Sequence, residues 1–206
     1  MSTEHGATLE ARGCLPAKQF FALAEQAVLG PGVHRYDETR LHVSGPTYGH
    51  IALLAIFARL LGAKRIVELG TGIGIGTRAF LDAVRTTGGH VWSVDMHPRV
   101  GREELKDNPD ATFVIDSSTG FAKKWQGPVD LVYVDADHSA ASVEADLTAW
   151  AKHNPRLFLV DDTLDTNVPH GSPLDGMEAF ASKCGWTWWN LPLATGLGVL
   201  MPSGGA

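Results

Sequence analysis

Five aspartates and one histidine carry most of the chemistry that this sequence could do. Asp95, Asp116, Asp135 and Asp161 each close a short apolar run, and Asp162 follows Asp161 directly. A single turn aspartate means little, but four runs ending the same way form a constellation. Asp135, Asp161 and Asp162 are its sharpest part, because two neighbouring runs would deliver three carboxylates to one place. Such a group repels itself unless a cation or protons compensate. Hard oxygen ligands of this kind suit Mg²⁺, which keeps several waters and leaves room for substrate oxygens. His138 stands three residues after Asp135. If a strand turns straight into a helix there, position +3 returns to the same rim. An imidazole with near-neutral pKa at that place can take a proton from a metal-bound hydroxyl. The bland readings are helix caps, turn residues and a histidine that only hydrogen-bonds Asp135.

The second chemical feature is Arg65-Ile-Val-Glu-Leu-Gly-Thr-Gly-Ile-Gly-Ile-Gly-Thr77. Ile66 to Leu69 read as a buried strand, bounded by a charged pair before and glycines after. Gly70, Gly72, Gly74 and Gly76 form a tight turn, and Thr77 to Val84 read as the following helix. Glycines let the backbone take positive φ and approach a ligand. The helix N-terminus adds free N–H groups. A dinucleotide pocket needs G-x-G-x-x-G/A. Here the third position is Ile75 or Thr77, depending on the register. The pattern that fits is acid-x-G-x-G-x-G, opened by Glu68. Asp95 follows about 25 residues later, where a carboxylate can accept both ribose hydroxyls of a nucleoside.

The elements that must position these residues alternate in the order of an α/β fold. Strands are predicted at His90–Val94, Phe113–Ile115, Leu131–Val134 and Leu157–Val160. Helices are predicted at Pro98–Leu105, His138–Lys152 and Leu174–Cys184. Trp186–Leu191 and Gly198–Met201 follow as strands with no helix between them. Regular alternation predicts a doubly wound, mostly parallel sheet with helices on both faces. Before it, Pro16–Leu29 reads as an amphipathic helix and 33–43 as a loop or lid. A turn at 44–47 leads into a helix over His50–Leu61. The chain thus divides into an N-terminal helix and lid, 1–45, and a main domain, 46–206, within one globular whole. Trp125, Trp186, Trp188 and Trp189 read as core, Asp137 as a helix cap, and His97, His153 and His170 as surface residues.

With 206 residues and 44% hydrophobic content, a sizeable core is available. A net charge of −6 argues against a nucleic-acid surface. No apolar run is long enough to span a bilayer. The start has no secretory pattern, and two cysteines make no disulfide framework. A cytoplasmic protein is expected.

Acid-x-G-x-G-x-G resembles motif I of the class I S-adenosylmethionine (SAM) methyltransferases. The pattern Leu131-Val-Tyr-Val-Asp-Ala-Asp-His138, then Leu159-Val-Asp-Asp-Thr163, is similar to the metal-dependent small-molecule O-methyltransferases. It stands nearest the macrocin type, and further from the catechol type. The resemblance covers roughly Gly62 to Met201. It implies a seven-stranded sheet whose last strand is antiparallel. It implies SAM contacts at Glu68, Gly70, Thr71, Gly72, Gly74, Thr77, Asp95, Met96 and Asp135. Asp116 and Ser117 would meet the adenine, and Tyr48 and His50 precede the helix near the methionine part. It implies Mg²⁺ on Asp135, Asp161 and Asp162, with His138 as base. The macrocin type usually has Glu-Asp after the fifth strand, so Asp161 is shorter than expected. The chain is also short for that type, which leaves room for a homodimer whose partner supplies a lid.

The expected reaction is O-methylation of a small-molecule hydroxyl. Competing readings are a metal-independent enzyme acting on nitrogen, carbon or a carboxylate, a nucleic-acid methyltransferase, a non-catalytic SAM-binding module, and a dinucleotide oxidoreductase. The absence of an Asn/Asp-Pro-Pro-Tyr-like motif after the fourth strand disfavours the nucleic-acid enzyme. Ile75 and Thr77 disfavour the last.

Overall fold

β1 (Arg65–Leu69) is the centre of the fold, with Ile66, Val67 and Leu69 fully buried. A strand buried on both faces needs neighbours on both edges and helices above and below. Parallel neighbours β2 (His90–Asp95) and β4 (Leu131–Val134) supply the edges. The full sheet has seven strands in the order β3-β2-β1-β4-β5-β7-β6. β3 spans Ala111–Ile115, β5 Leu157–Asp161, β6 Trp186–Leu191 and β7 Leu197–Pro202. β7 runs antiparallel to both β5 and β6, and the other pairings are parallel. This is the doubly wound sheet, with its reversed last strand, that the sequence predicts.

The coordinates are a computed structural model and describe residues 51–165, 170–192 and 195–203. The helix expected at 16–29, the lid at 33–43, the turn at 44–47, Tyr48 and His50 lie outside the described residues. No helix among the described residues is long and apolar enough to cross a membrane.

Strand order reverses between β1 and β4, because the chain runs outward to β3 and then returns. Ligands of open α/β sheets bind beyond the carboxyl ends at such a switch point. Helices α1 (Ile51–Leu61), α2 (Ile75–Thr87), α3 (Val100–Leu105), α4 (Ser118–Ala122), α5 (Ala140–Ala151) and α6 (Pro173–Cys184) make the crossovers and cover. Val143, Leu147 and Trp150 of α5 are buried, which accounts for its expected apolar stripe.

Three expectations need correction. α3 begins at Val100, not Pro98, because Arg99 is the extended cap residue. α5 begins at Ala140, because the Ser139 hydroxyl accepts the Ser142 N–H and caps it. His138 therefore sits in the loop before the helix. His153 is no free surface residue: its ring shares a 2.8 Å hydrogen bond with the Ala122 carbonyl and leans on Trp150. The short helix α4 had no signal in the periodicity, being five residues long.

Candidate active site

The loop between β1 and α2 turns under strict steric control. At Gly70 φ is 98°, and a Cβ there would lie 1.9 Å from the Asp135 carbonyl oxygen. Only glycine lets the end of β4 pass so close. At Gly72 φ is 49°, and a Cβ would meet nothing within 4 Å. Gly70 thus faces the protein and Gly72 faces open space. Glu68 and Thr77 lie beneath the loop, 1% and 0% exposed. Glu68 accepts hydrogen bonds from the Thr77 and Ser93 hydroxyls. Thr71 Oγ1 and Ser93 Oγ are 2.8 Å apart and extend the network. Burial pushes the Glu68 carboxyl up to about 8, against the lowering effect of those bonds. Glu68 and Thr77 therefore act on the loop from below instead of opening onto its free side.

Asp95 stands at the end of β2, beside the loop. Its Oδ2 accepts from the Thr71 N–H at 3.2 Å and the Gly72 N–H at 3.5 Å. Its Oδ1 accepts from the His97 N–H at 3.0 Å, and Arg99 Nε is 3.1 Å from both oxygens. Burial would raise this carboxyl, but the bonds from His97, Arg99 and Gly72 hold it below the usual carboxylate range. Met96 follows it, 64% exposed. On β3's end, Asp116 accepts from Lys124 Nζ at 2.7 Å and from the Ser117 N–H. The Lys124 bond keeps the Asp116 carboxyl low. The Ser117 hydroxyl caps α4 through the Gly120 N–H. Asp116 and Ser117 are thus tied to local structure.

The rim formed by β4 and β5 is organised around His138. Its Nε2 lies 3.3 Å from Asp135 Oδ1, and its Nδ1 lies 3.1 Å from Asp162 Oδ2. The hydrogen bonds with Asp135 and then Asp162 push the imidazole up to about 10. The near-neutral value expected from the sequence is replaced by a strongly basic one, so the ring is an imidazolium at neutral pH. Burial raises Asp135 to about 7, eased by His138.

Asp161 does not join that pair. It is 1% exposed, and its Oδ2 accepts from the Tyr133 hydroxyl at 2.7 Å. Among the described residues, the trio whose ligand atoms lie within 4.8 Å of one another is His138, Asp162 and Asp165. Asp135 and Asp162 each reach a different nitrogen of His138; Asp135 and Asp161 are not in that trio, and Asp165 enters from the following turn.

Residues 67–160 match the family model described as "Methyltransferase domain". Over those residues, just under half of the chain, it is similar to methyltransferase domains. A provisionally named O-methyltransferase from Mycolicibacterium smegmatis is 28% identical over 124 residues, covering 56% of this chain and 58% of that protein. The chain thus spans little more than half the length of the curated relatives it matches. Among solved structures, an SAH-bound methyltransferase from Podospora anserina gives a TM-score of 0.63 at 15% identity, covering 91% of this chain and 95% of that one. An O-methyltransferase from Streptomyces achromogenes involved in tomaymycin synthesis, in complex with SAM, gives 0.57 at 18%, covering 89% and 90%. These likenesses establish the fold.

Among the described residues, several escape motif reading. Ser93 and Tyr133 are hidden in apolar strands, yet each touches a site carboxylate. Arg99 shows its role only once the turn after β2 brings it back onto Asp95. Gly101 donates to the Gly72 carbonyl at 3.3 Å and holds α3 against the loop. Asp146 of α5 is 3% exposed and accepts from the Ser118 hydroxyl; burial raises it to about 6. An acid at a buried helix position is the signal that could have marked it.

Proposed function

We propose that this chain is a SAM-dependent O-methyltransferase acting on a hydroxyl of a small molecule. One observation carries the reading. The glycine loop with Asp95 and the His138 rim occupy the carboxyl ends of adjoining strands, β1 and β2 on one side, β4 and β5 on the other. A donor in the first would face an acceptor over the second.

The cradle suits SAM. Gly72 opens on free space, the loop N–H groups of Thr71 and Gly72 orient Asp95, and Asp95 is ionised to accept ribose hydroxyls. Methyl transfer from a sulfonium is an in-line displacement, so alignment and proton removal are the protein's tasks. His138 would accept the hydroxyl proton at a ring nitrogen, once that nitrogen has lost its own. Asp135 and Asp162 would hold the ring in place and stabilise the imidazolium that results.

The donor set at the rim is carboxylate-rich and suits a hard divalent ion such as Mg²⁺. Asp162 and Asp165 would hold it, and Asp161 would not in this arrangement. When bound, such an ion lowers the pKa of a coordinated hydroxyl. One observation favours a metal-independent alternative: the His138 imidazolium already compensates two carboxylates. The net charge of −6 supports a small acceptor over nucleic acid. The proposal extends to a cytoplasmic enzyme that assembles as a homodimer.

Calorimetry with SAM and with NAD tests the cofactor. SAM binding alone is expected, and equal or preferred binding of NAD removes the reading. Transfer of a labelled methyl group to a panel of catechols and sugars, with and without EDTA, then tests the reaction. Transfer to amines alone would replace O-methylation, and full activity in EDTA would select the metal-independent form.

A further inference from the structure

The rim histidine is connected to a buried tyrosine that the mechanism above does not use. Tyr133 and Asp161 are each 1% exposed, on the neighbouring strands β4 and β5. The Tyr133 hydroxyl donates to Asp161 Oδ2 at 2.7 Å. Asp161 Oδ1 accepts the Asp162 N–H at 2.8 Å. Asp162 has φ 53°, a left-handed conformation that is uncommon outside glycine but open to aspartate. That conformation, with its N–H fixed on Asp161, aims Asp162 Oδ2 at His138 Nδ1, 3.1 Å away. His138 Nε2 then faces Asp135 Oδ1 at 3.3 Å. One continuous chain runs from Tyr133 through Asp161 and Asp162 to His138 and Asp135.

The start of this chain is fixed in place. The Tyr133 ring meets Phe80 edge-on, with centroids 5.6 Å apart. One turn earlier on the same helix, α2, a Cβ at Gly76 would lie 3.1 Å from Tyr133 Cε1. The ring is buried against this face of α2, and its hydroxyl fixes where the Asp161 carboxylate points. A carboxyl group has two oxygens, and Asp161 uses one for each of these two bonds. The second oxygen passes the constraint on to the backbone of Asp162.

We propose that Tyr133 and Asp161 are positioning residues. They hold Asp162 in its left-handed turn and so present one nitrogen of His138 to Asp162 and the other to Asp135. This rests on the reading of His138 as the proton acceptor, but its geometry can be measured without turnover. Asp161 acts here through the backbone of its neighbour and not as a ligand.

The test uses the full chain, treated with EDTA and labelled with ¹⁵N-histidine. Long-range ¹H–¹⁵N spectra at one fixed pH report the hydrogen bonding of each ring nitrogen, and His138→Gln assigns the His138 signals. Tyr133→Phe and Asp161→Ala are expected to move both His138 nitrogen signals and leave those of His153 unchanged. Asp161→Asn is expected to restore wild-type signals, because its amide oxygen can accept the Asp162 N–H and its amino group can donate to Tyr133. SAH affinity by calorimetry is expected to stay within about twofold of wild type, since no member of the chain opens onto Gly72. His138 signals that do not move in Tyr133→Phe would overturn the proposal. So would a loss of SAH affinity of about tenfold with those signals intact, which would assign Tyr133 to the glycine loop. Tyr133→Phe loses one oxygen atom and keeps the ring, so it carries the test even where Asp161→Ala fails to fold. If the signals move as stated in a protein that transfers no methyl group to oxygen, the activity reading fails and the positioning stands.

Discussion

Arg99 lays its Nε 3.1 Å from both carboxylate oxygens of Asp95, the group a ribose would need. The main-chain donors Thr71, Gly72 and His97 are fixed, but Arg99 is half exposed and can rotate away. Nucleoside binding then has to displace a half-exposed ion pair, worth about 0.5 kcal/mol. Arg99→Gln is therefore expected to tighten SAH binding by about twofold, with the gain shrinking in high salt. Asp95→Asn is expected to weaken SAH by about tenfold or more, because a charged acceptor is lost. Calorimetry at two salt concentrations checks both. Unchanged affinity in Asp95→Asn would remove Asp95 from the cofactor site.

The contrast between Gly70 and Gly72 separates fold from ligand. A methyl group at Gly70 would run into the Asp135 carbonyl, in a conformation disfavoured for any side chain. Gly70→Ala is expected to destabilise the protein by about 3–5 kcal/mol, in the range of strained, overpacked sites. Gly72→Ala meets open space and carries only the left-handed penalty, about 1–2 kcal/mol. It should still fold while losing SAH affinity, because its methyl occupies the open side of the loop. Thermal melting with and without SAH distinguishes the two.

Much of this was legible in the sequence, for physical reasons. The strands are short buried runs with polar ends, so periodicity and punctuation located them, and strand–helix alternation gave the sheet. Gly70 and Gly72 were visible because positive φ restricts residue choice so strongly. Asp135 and Asp162 were visible because they follow strand ends at one edge, and His138 because it stands three residues after Asp135. Which way a carboxylate then turns was not legible. Asp161 and Asp162 are adjacent, and the Tyr133 hydroxyl and a left-handed backbone turn Asp162 toward His138. The basicity of His138 was also hidden, since it depends on two partners 3 and 24 residues away in sequence.

Glu68 gives the protein a pH signature. Burial raises its carboxyl from 4.5 to about 8 in the folded state. Between those values the folded protein binds more protons than the unfolded chain, so stability falls as pH rises. His138 adds the same sign between 6.5 and about 10, because its folded pKa is raised and its stabilising charge is lost upward through that range. Melting temperature is expected to fall steadily from about pH 5 to about pH 9. Glu68→Gln should lessen the slope up to about pH 8, where Asp135 and Asp146 add the same sign, and leave the upper part. A slope below about pH 8 that is unchanged in Glu68→Gln would mean that Glu68 is ionised in the fold.

His138 sets the last expectation, for the reaction itself. A proton acceptor must be neutral, and two carboxylates hold this imidazole charged up to about 10. In protein stripped of divalent ions, the rate on a reactive hydroxyl probe is therefore expected to climb with pH toward that value. A divalent ion at Asp162 and Asp165 would oppose the imidazolium and draw off carboxylate charge, so added Mg²⁺ should move the rising limb to lower pH. His138→Ala should lower the rate by about 10²–10⁴-fold and abolish the limb. SAH affinity should be unaffected, because His138 lies beyond the glycine loop. A limb that persists in His138→Ala would assign the titration to the acceptor's own hydroxyl, and His138 would then be a structural bridge between Asp135 and Asp162.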